Sequence, residues 1–161
     1  MSLAKQNIIV SVLVFFVFVL LGIYLPVVLE RTQGGKQTMD MSIVKNDCDV
    51  TREYCRAEVD GKAVRFMIHG PIHYLQHFDY DLSLSGFAPN AVERVMVEFD
   101  MLDMQMGLNR YTPQAAEDDQ TWAGVAVLPV CVSGRKDWRV TLVLETGEGS
   151  YRGRFDFVVE P

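Results

Sequence analysis

The sequence predicts a mainly β protein: an antiparallel β-sandwich of about seven strands preceded by one N-terminal transmembrane helix. Three observations predict it. A run of 22 residues near the N-terminus carries no charge, apolar and polar side chains alternate in twos from Ser42 onward, and turn residues punctuate the alternating stretches. With 161 residues, the chain accommodates one ordinary domain and a short appendage, which excludes a large α/β enzyme with its own cofactor domain.

The uncharged run is Ile8–Leu29, IIVSVLVFFVFVLLGIYLPVVL. As a helix it is roughly 33 Å long, enough to cross the hydrocarbon core. A cleaved signal peptide is the competing reading, but the run exceeds the usual h-region, and no small-x-small site follows it. The exit reads Leu25-Pro26-Val27-Val28-Leu29-Glu30-Arg31. A retained anchor over residues 1–30 is therefore expected, with Tyr24 near headgroup level. Lys5 stands before the span and Arg31 and Lys36 after it, so basic residues alone do not orient it. The short N-terminal side and the cysteine pair beyond the span favour an exported body. Residues 31–41, with Gly34-Gly35, read as a flexible tether, and residues 42–161 as the exported domain. The expected location is a bacterial inner membrane, spanned by residues 8–29, with the domain in the periplasm.

Net charge is −6, and everything after Leu29 is more acidic still. Such a body repels phosphate backbones, so nucleic acid is excluded as a partner.

Within the body, Phe78, Tyr80, Leu82 and Leu84 alternate with Asp79, Asp81, Ser83 and Ser85. Val95, Val97 and Phe99 alternate with Arg94, Met96, Glu98 and Asp100. Trp138, Val140, Leu142 and Leu144 do so with Arg139, Thr141 and Glu145. Tyr151, Phe155, Phe157 and Val159 do so with Arg152, Arg154, Asp156 and Glu160. One apolar and one wet face per strand is the pattern of antiparallel sheets packed face to face. Asp60-Gly61 between Arg56–Val59 and Lys62–Ile68 signals a two-residue hairpin. Gly86, Pro89-Asn90, Gly134 and Gly147-Glu148-Gly149 mark further turns. Seven strands in this length match an immunoglobulin-like sandwich, with a small barrel as the alternative. No helix longer than two turns is expected in the body, with Pro71–His77 the one stretch that leaves room for one.

Cys48 and Cys55 enclose six residues, a spacing that suits a disulfide-stapled loop better than a redox or zinc pair. Cys131 is left over; it reads as a buried small hydrophobe or as a thiolate for a soft metal or a partner. Met101, Met104 and Met106 fall within six residues, directly after a strand, while Met39 and Met41 flank Asp40 at the foot of the tether. Thioethers are soft, neutral ligands that select copper(I). Met104 and Met106 share a side of an extended chain, with Met101 or Cys131 completing a site. An interaction surface and plain packing are the competing readings of the cluster. His69, His73 and His77 recur every fourth residue; His73 and His77 share a face if Pro71 opens a helical turn, but a loop with incidental histidines is the plainer reading. Glu117-Asp118-Asp119 reads as a solvated loop, and no phosphate loop, zinc-protease helix or nucleophile elbow appears.

A strand Val95-Met-Val-Glu-Phe99 leads into Met101–Met106 with Gly107, then Trp122-x-Gly124, then Leu128-Pro129. With the anchor and the alternating strands, this order resembles small membrane-anchored bacterial proteins of the FixH/YtkA-like kind, over roughly Ala63 to Val159. The resemblance implies an exported immunoglobulin-like body and an accessory role in copper handling and haem–copper cytochrome oxidase assembly. It carries onto Met104 and Met106, onto Met101 less directly, and not onto His73, His77 or Cys131, which match no family position. A tryptophan- and proline-rich start to the anchor is missing, and the Cys48/Cys55 pair is extra. The expectation is thus a non-enzymatic periplasmic accessory protein that presents a copper(I) site of Met101, Met104, Met106 and Cys131 to a respiratory or copper-handling partner. The alternative is a metal-free interaction module of an inner-membrane complex.

Overall fold

The structure, a computed structural model, describes residues 17–20, 22, 37–102, 104, 109–117, 120–130 and 134–159. The chain divides into two units, Met1–Lys36 and Gln37–Pro161. In the first, residues 17–20 and 22 are helical. The rest of the anchor expected over Ile8–Leu29 lies outside the described residues. No helix among the described residues is long and apolar enough to cross a membrane.

The second unit is built from strands. They are β1 (Thr38–Asp40), β2 (Ser42–Ile43), β3 (Cys55–Val59), β4 (Lys62–His69), β5 (His77–Ser85), β6 (Val92–Met101), β7 (Arg110–Tyr111), β8 (Gln114–Ala115), β9 (Thr121–Val127), β10 (Asp137–Thr146) and β11 (Ser150–Val158). Seven have five residues or more; β1, β2, β7 and β8 are short edge pieces. One sheet has the order β1-β11-β10-β6-β7 and the other β2-β3-β4-β5-β9-β8. The chain passes from β5 to β6 in the opposite sheet, returns to β9 beside β5, and crosses again to β10 beside β6. Two neighbouring strand pairs are thereby interlocked across the sandwich.

Alternation decides which side chains meet. The inward residues of β6, Val95, Val97, Phe99 and Met101, are all buried, as are Trp138, Val140, Leu142 and Leu144 of β10. Rings join the two sheets: Phe66 stacks on Phe155 with centroids 6.2 Å apart, and Phe78 and Tyr80 meet Phe99 edge-on at 5.5 and 6.0 Å. Phe99 also meets Tyr111 and Phe157, so it is the hub of the aromatic core. The outward residues of the five-stranded sheet are laced by exposed ion pairs, Arg94–Glu145, Arg110–Glu98 and Arg139–Asp156 among them. Such pairs keep a face wet and add little stability.

Local chemistry explains the joints. Asp60 and Gly61 both take positive φ, 50° and 76°, the backbone that a type I′ hairpin between β3 and β4 requires. Met41 is where the chain changes sheets. β1 runs parallel to β11, the Met41 N–H then donates to the Arg152 carbonyl at 2.8 Å, and β2 pairs with β3. The tether expected to extend to residue 41 therefore ends earlier, because Thr38–Asp40 is a strand and Met41 is buried in the core.

The far edge of β9 is closed by a side chain. β8 pairs with β9 only at Trp122 and Ala123. At Val127 the Tyr111 hydroxyl takes over, donating to the carbonyl at 2.8 Å and accepting from the N–H at 3.1 Å. One hydroxyl thus replaces the missing strand and pins the five-stranded sheet to the six-stranded one. Pro71–His77 is a loop leading into β5, and the helical alternative is not formed. Leu75 has φ +61° and its N–H donates to the Leu128 carbonyl at 2.9 Å, while His77 already belongs to β5. A left-handed residue cannot continue a right-handed turn.

Candidate functional site

On the outer face of the six-stranded sheet, strand register assembles a polar cluster. β4 turns Arg65, Met67 and His69 outward, and β5 answers with Ser83, Asp81 and Asp79 opposite them. Tyr54, just before β3, lies over this row. Its hydroxyl donates to both carboxylate oxygens of Asp81, each at 3.1 Å. The Arg65 guanidinium carbon sits 4.8 Å from the centre of the Tyr54 ring, within cation–π range. The His69 Nε2 meets Asp81 Oδ1, and the His69 ring stands edge-on to Tyr54 at 6.5 Å. Asp81 is therefore the acceptor at the centre, with a phenol and an imidazole aimed at it. The Tyr54 hydroxyl is pushed above the usual phenol range, first by partial burial and then by the hydrogen bond to Asp81.

Beside the cluster runs an open groove of about 560 Å³. His69, Asp79 and Asp81 form one wall, Thr112 and Gln114 the other, and Ala123, Gly124 and Val125 the floor. Tyr80 of β5 is paired with Gly124 and points inward beneath it, and a Cβ on Gly124 would fall 2.4 Å from the Tyr80 hydroxyl oxygen. Only glycine permits that approach. Val125 stands in the groove 49% exposed. The arrangement is a prearranged set of aromatic, cationic and anionic groups beside a small apolar floor. Tyrosine and arginine anchors of this kind dominate protein–protein contacts.

The residues singled out for copper are not gathered in the same way. Met101 is the last inward residue of β6, level in register with Trp138, which is itself level with Phe157, and it is 2% exposed. The expectation that Met101 supplies a surface sulfur is corrected: packing takes it, because it continues the inward alternation of Val95, Val97 and Phe99. Met104 bridges back to Met101 through the backbone, its N–H donating to the Met101 carbonyl at 3.2 Å, and its side chain is 43% exposed. The structure thus brings the two backbones together and separates the side chains, one to the core and one to the rim. Met106 and Cys131 lie outside the described residues. Met39 is partly buried and Met41 buried against the same core.

Next to this rim, Arg135 clamps Asp137 through both side-chain oxygens, with Nε to Oδ1 at 3.0 Å. The hydrogen bonds from Arg135 hold the Asp137 carboxyl below its ordinary value. His69, His73 and His77 are all exposed, and only His69 joins the cluster described above. Among the described residues, no three His, Cys, Asp or Glu side chains are placed to hold a metal ion.

Cys48 and Cys55 form a disulfide with Cα atoms 5.6 Å apart. The loop it closes delivers Val50 into the core, where the Val50 carbonyl accepts from the Ile68 N–H at 2.8 Å. The same loop places Tyr54 over the sheet. The Tyr54–Arg65–His69–Asp81 cluster escapes a reading by motif, since Tyr54 and Asp81 are 27 residues apart. The available signal was the aspartates alternating along β5, opposite the arginine and histidine alternating along β4.

No protein-family model matches the chain, and neither the curated proteins nor the solved structures contain a match.

Proposed function

We propose that this chain is a membrane-anchored accessory protein that acts by contact rather than by catalysis. Its exported domain offers the Tyr54–Arg65–His69–Asp81 cluster and the adjoining groove to a protein partner. The observation that carries this reading is the cluster itself. Four side chains from a loop and two strands are oriented by one another on an exposed face before any partner arrives. Such preorganisation lowers the ordering cost of binding. Export is supported by the uncharged run Ile8–Leu29 and by the disulfide, since disulfides persist in oxidising compartments such as a bacterial periplasm.

The finer fold reading is immunoglobulin-like. Its support is the strand order, β4-β5-β9-β8 facing β11-β10-β6-β7, which is the ABED and GFC order with one further strand beside C. The β2–β3 pair is an addition at one edge, and the disulfide closes a loop instead of joining the two sheets.

A photo-crosslinking amino acid at Val125 of the full-length protein in cells tests the contact reading. A discrete adduct is expected that disappears in Asp81→Ala and Tyr54→Ala and does not form from Thr141 on the opposite face. Adducts indifferent to these substitutions, or none, refute it.

Copper(I) handling in oxidase assembly is the second reading, and the exposed Met104 thioether favours it. Met104, Met106 and Cys131 are then the ligands, without Met101. Titration against a competing chelator is expected to lose the copper in Met104→Leu with Met106→Leu; undiminished binding dismisses the site.

A further inference from the structure

Strand register fixes the shape of the groove beside the Tyr54–Arg65–His69–Asp81 cluster. On the outer face of the six-stranded sheet, Asp81 of β5, Ala123 of β9 and Gln114 of β8 stand in one row across three neighbouring strands. Two strand spacings place Asp81 and Gln114 about 10 Å apart, with only the Ala123 methyl group between them. One outward position along, Asp79 stands opposite Val125. The result is a trough, lowest over Ala123, that continues over the exposed Val125. The two carboxylates on its wall are not alike. Asp81 accepts from Tyr54 and meets His69. Asp79 is exposed, and its side chain has no hydrogen-bond or ionic partner among the described residues; the same holds for Thr112 and Gln114 across the trough. The nearby cation of the same face does not serve Asp79. Arg65 is level with Ser83, two outward positions along β5, and covers the Tyr54 ring.

We propose that this trough takes an arginine side chain of the partner protein. The inference names the chemistry of the contact proposed above and rests on that reading. The guanidinium lies over Ala123, donating to the Asp79 carboxylate on one wall and to the Gln114 side-chain carbonyl on the other, and its methylene stem covers Val125. The groups on the page select this occupant. A guanidinium presents its N–H donors in a planar fork and serves both walls at once, whereas a lysine ammonium is a compact, strongly hydrated charge. The aliphatic stem of arginine suits an apolar floor while its head stays at the polar wall. An apolar occupant would strip water from Asp79 and return no hydrogen bond. An acidic one would meet two carboxylates, and like charges set against each other suppress a wrong partner. A second copy of the chain is the poorer occupant, because each copy carries a net charge of −6 and the copies repel.

Titration of the full-length protein in detergent micelles with a short capped peptide, one arginine among glycines and serines, tests this through amide NMR shifts. Saturable shifts are expected at Ala123, Gly124 and Val125. The same peptide with citrulline, which keeps the shape and loses the charge, and the same peptide with lysine are each expected to bind at least about fivefold more weakly. Asp79→Asn weakens the arginine peptide to about the same degree. Ala123→Leu fills the trough without changing its charge and abolishes the shifts. Both substitutions fall at exposed positions, and unchanged amide signals elsewhere in the domain show that each variant is folded. An arginine peptide that gives no saturable shifts overturns the proposal. So does equal binding of the citrulline or lysine peptide, or binding indifferent to Asp79→Asn and Ala123→Leu. The crosslink at Val125 is read separately: an adduct without arginine binding discards this inference alone, and arginine binding without an adduct discards the contact reading alone.

Discussion

Removing a single oxygen atom from Tyr111 and from Tyr80 is expected to move stability in opposite directions. The Tyr111 hydroxyl serves two backbone groups of Val127, at 2.8 and 3.1 Å. Tyr111→Phe leaves both unpaired. A net protein hydrogen bond contributes about 0.5–1.5 kcal/mol, so two are worth up to about 3 kcal/mol. Tyr111 and Val127 are only half-buried, so water repairs part of the loss and about 1–2 kcal/mol of destabilisation is expected. That corresponds to a melting shift of roughly 2–8 °C for a domain of this size. The Tyr80 hydroxyl is buried and meets no hydrogen-bond partner among the described residues. Burial, and secondarily the neighbouring Tyr111, raises its pKa well above the phenol range, so it stays protonated and idle. Tyr80→Phe removes a desolvated polar atom and is expected to be neutral or to stabilise by about 1 kcal/mol. Guanidinium unfolding followed through the buried Trp138 measures both, and amide exchange at Val127 reports the lost cap directly. A Tyr111→Phe variant within about 0.5 kcal/mol of wild type, or a Tyr80→Phe variant less stable than Tyr111→Phe, refutes the reasoning.

Replacing both Cys48 and Cys55 by alanine is expected to destabilise the domain by about 2.5 kcal/mol in the chain-entropy treatment of a loop this short, read from the same unfolding curve. Met101→Ala is expected to cost about 2–5 kcal/mol, because it empties a place in the core level with Trp138, whereas Met104→Ala stays within about 0.5 kcal/mol. Equal effects would show that the two thioethers share one environment. Because Arg135 holds the Asp137 carboxyl below its ordinary value, the stability it supplies is complete above the ordinary carboxylate range and is lost as pH falls through the lowered one. Arg135→Gln is expected to lower the neutral-pH plateau and to shrink that loss, visible as a shallower acid limb in melting temperature against pH; superimposable curves would remove Asp137 from the account.

What the sequence disclosed depends on element length and range. The alternations over Phe78–Leu84, Val95–Phe99, Trp138–Leu144 and Tyr151–Val159 identify long strands because one buried face imposes period two over many residues. Asp60-Gly61 identifies a hairpin because few residue pairs accept positive φ twice. The edge pieces Ser42–Ile43, Arg110–Tyr111 and Gln114–Ala115 have two residues each, too few to display any period. Met101 was legible in principle, since it lies two residues beyond Phe99 on the same inward face. The unusual density of sulfur nearby drew it into a ligand set instead. The Tyr54–Asp81 contact was not legible, because nothing local encodes which loop folds over which strand. At Pro71–His77 the loop reading holds over the helical alternative because Leu75 adopts a left-handed backbone and bonds to Leu128, a tertiary demand that no helical spacing reveals.

The strand β1 has a mechanical meaning. It enters the domain parallel to β11 and ends at the buried Met41. A pull on Gln37 along the strand does not peel a hairpin open one bond at a time. It loads the bonds from Gln37 and Met41 to β11 together, in shear, with a methionine plug behind them. Shear geometry resists force better than unzipping, so a domain hung by this end would bear load across several bonds at once at its point of suspension.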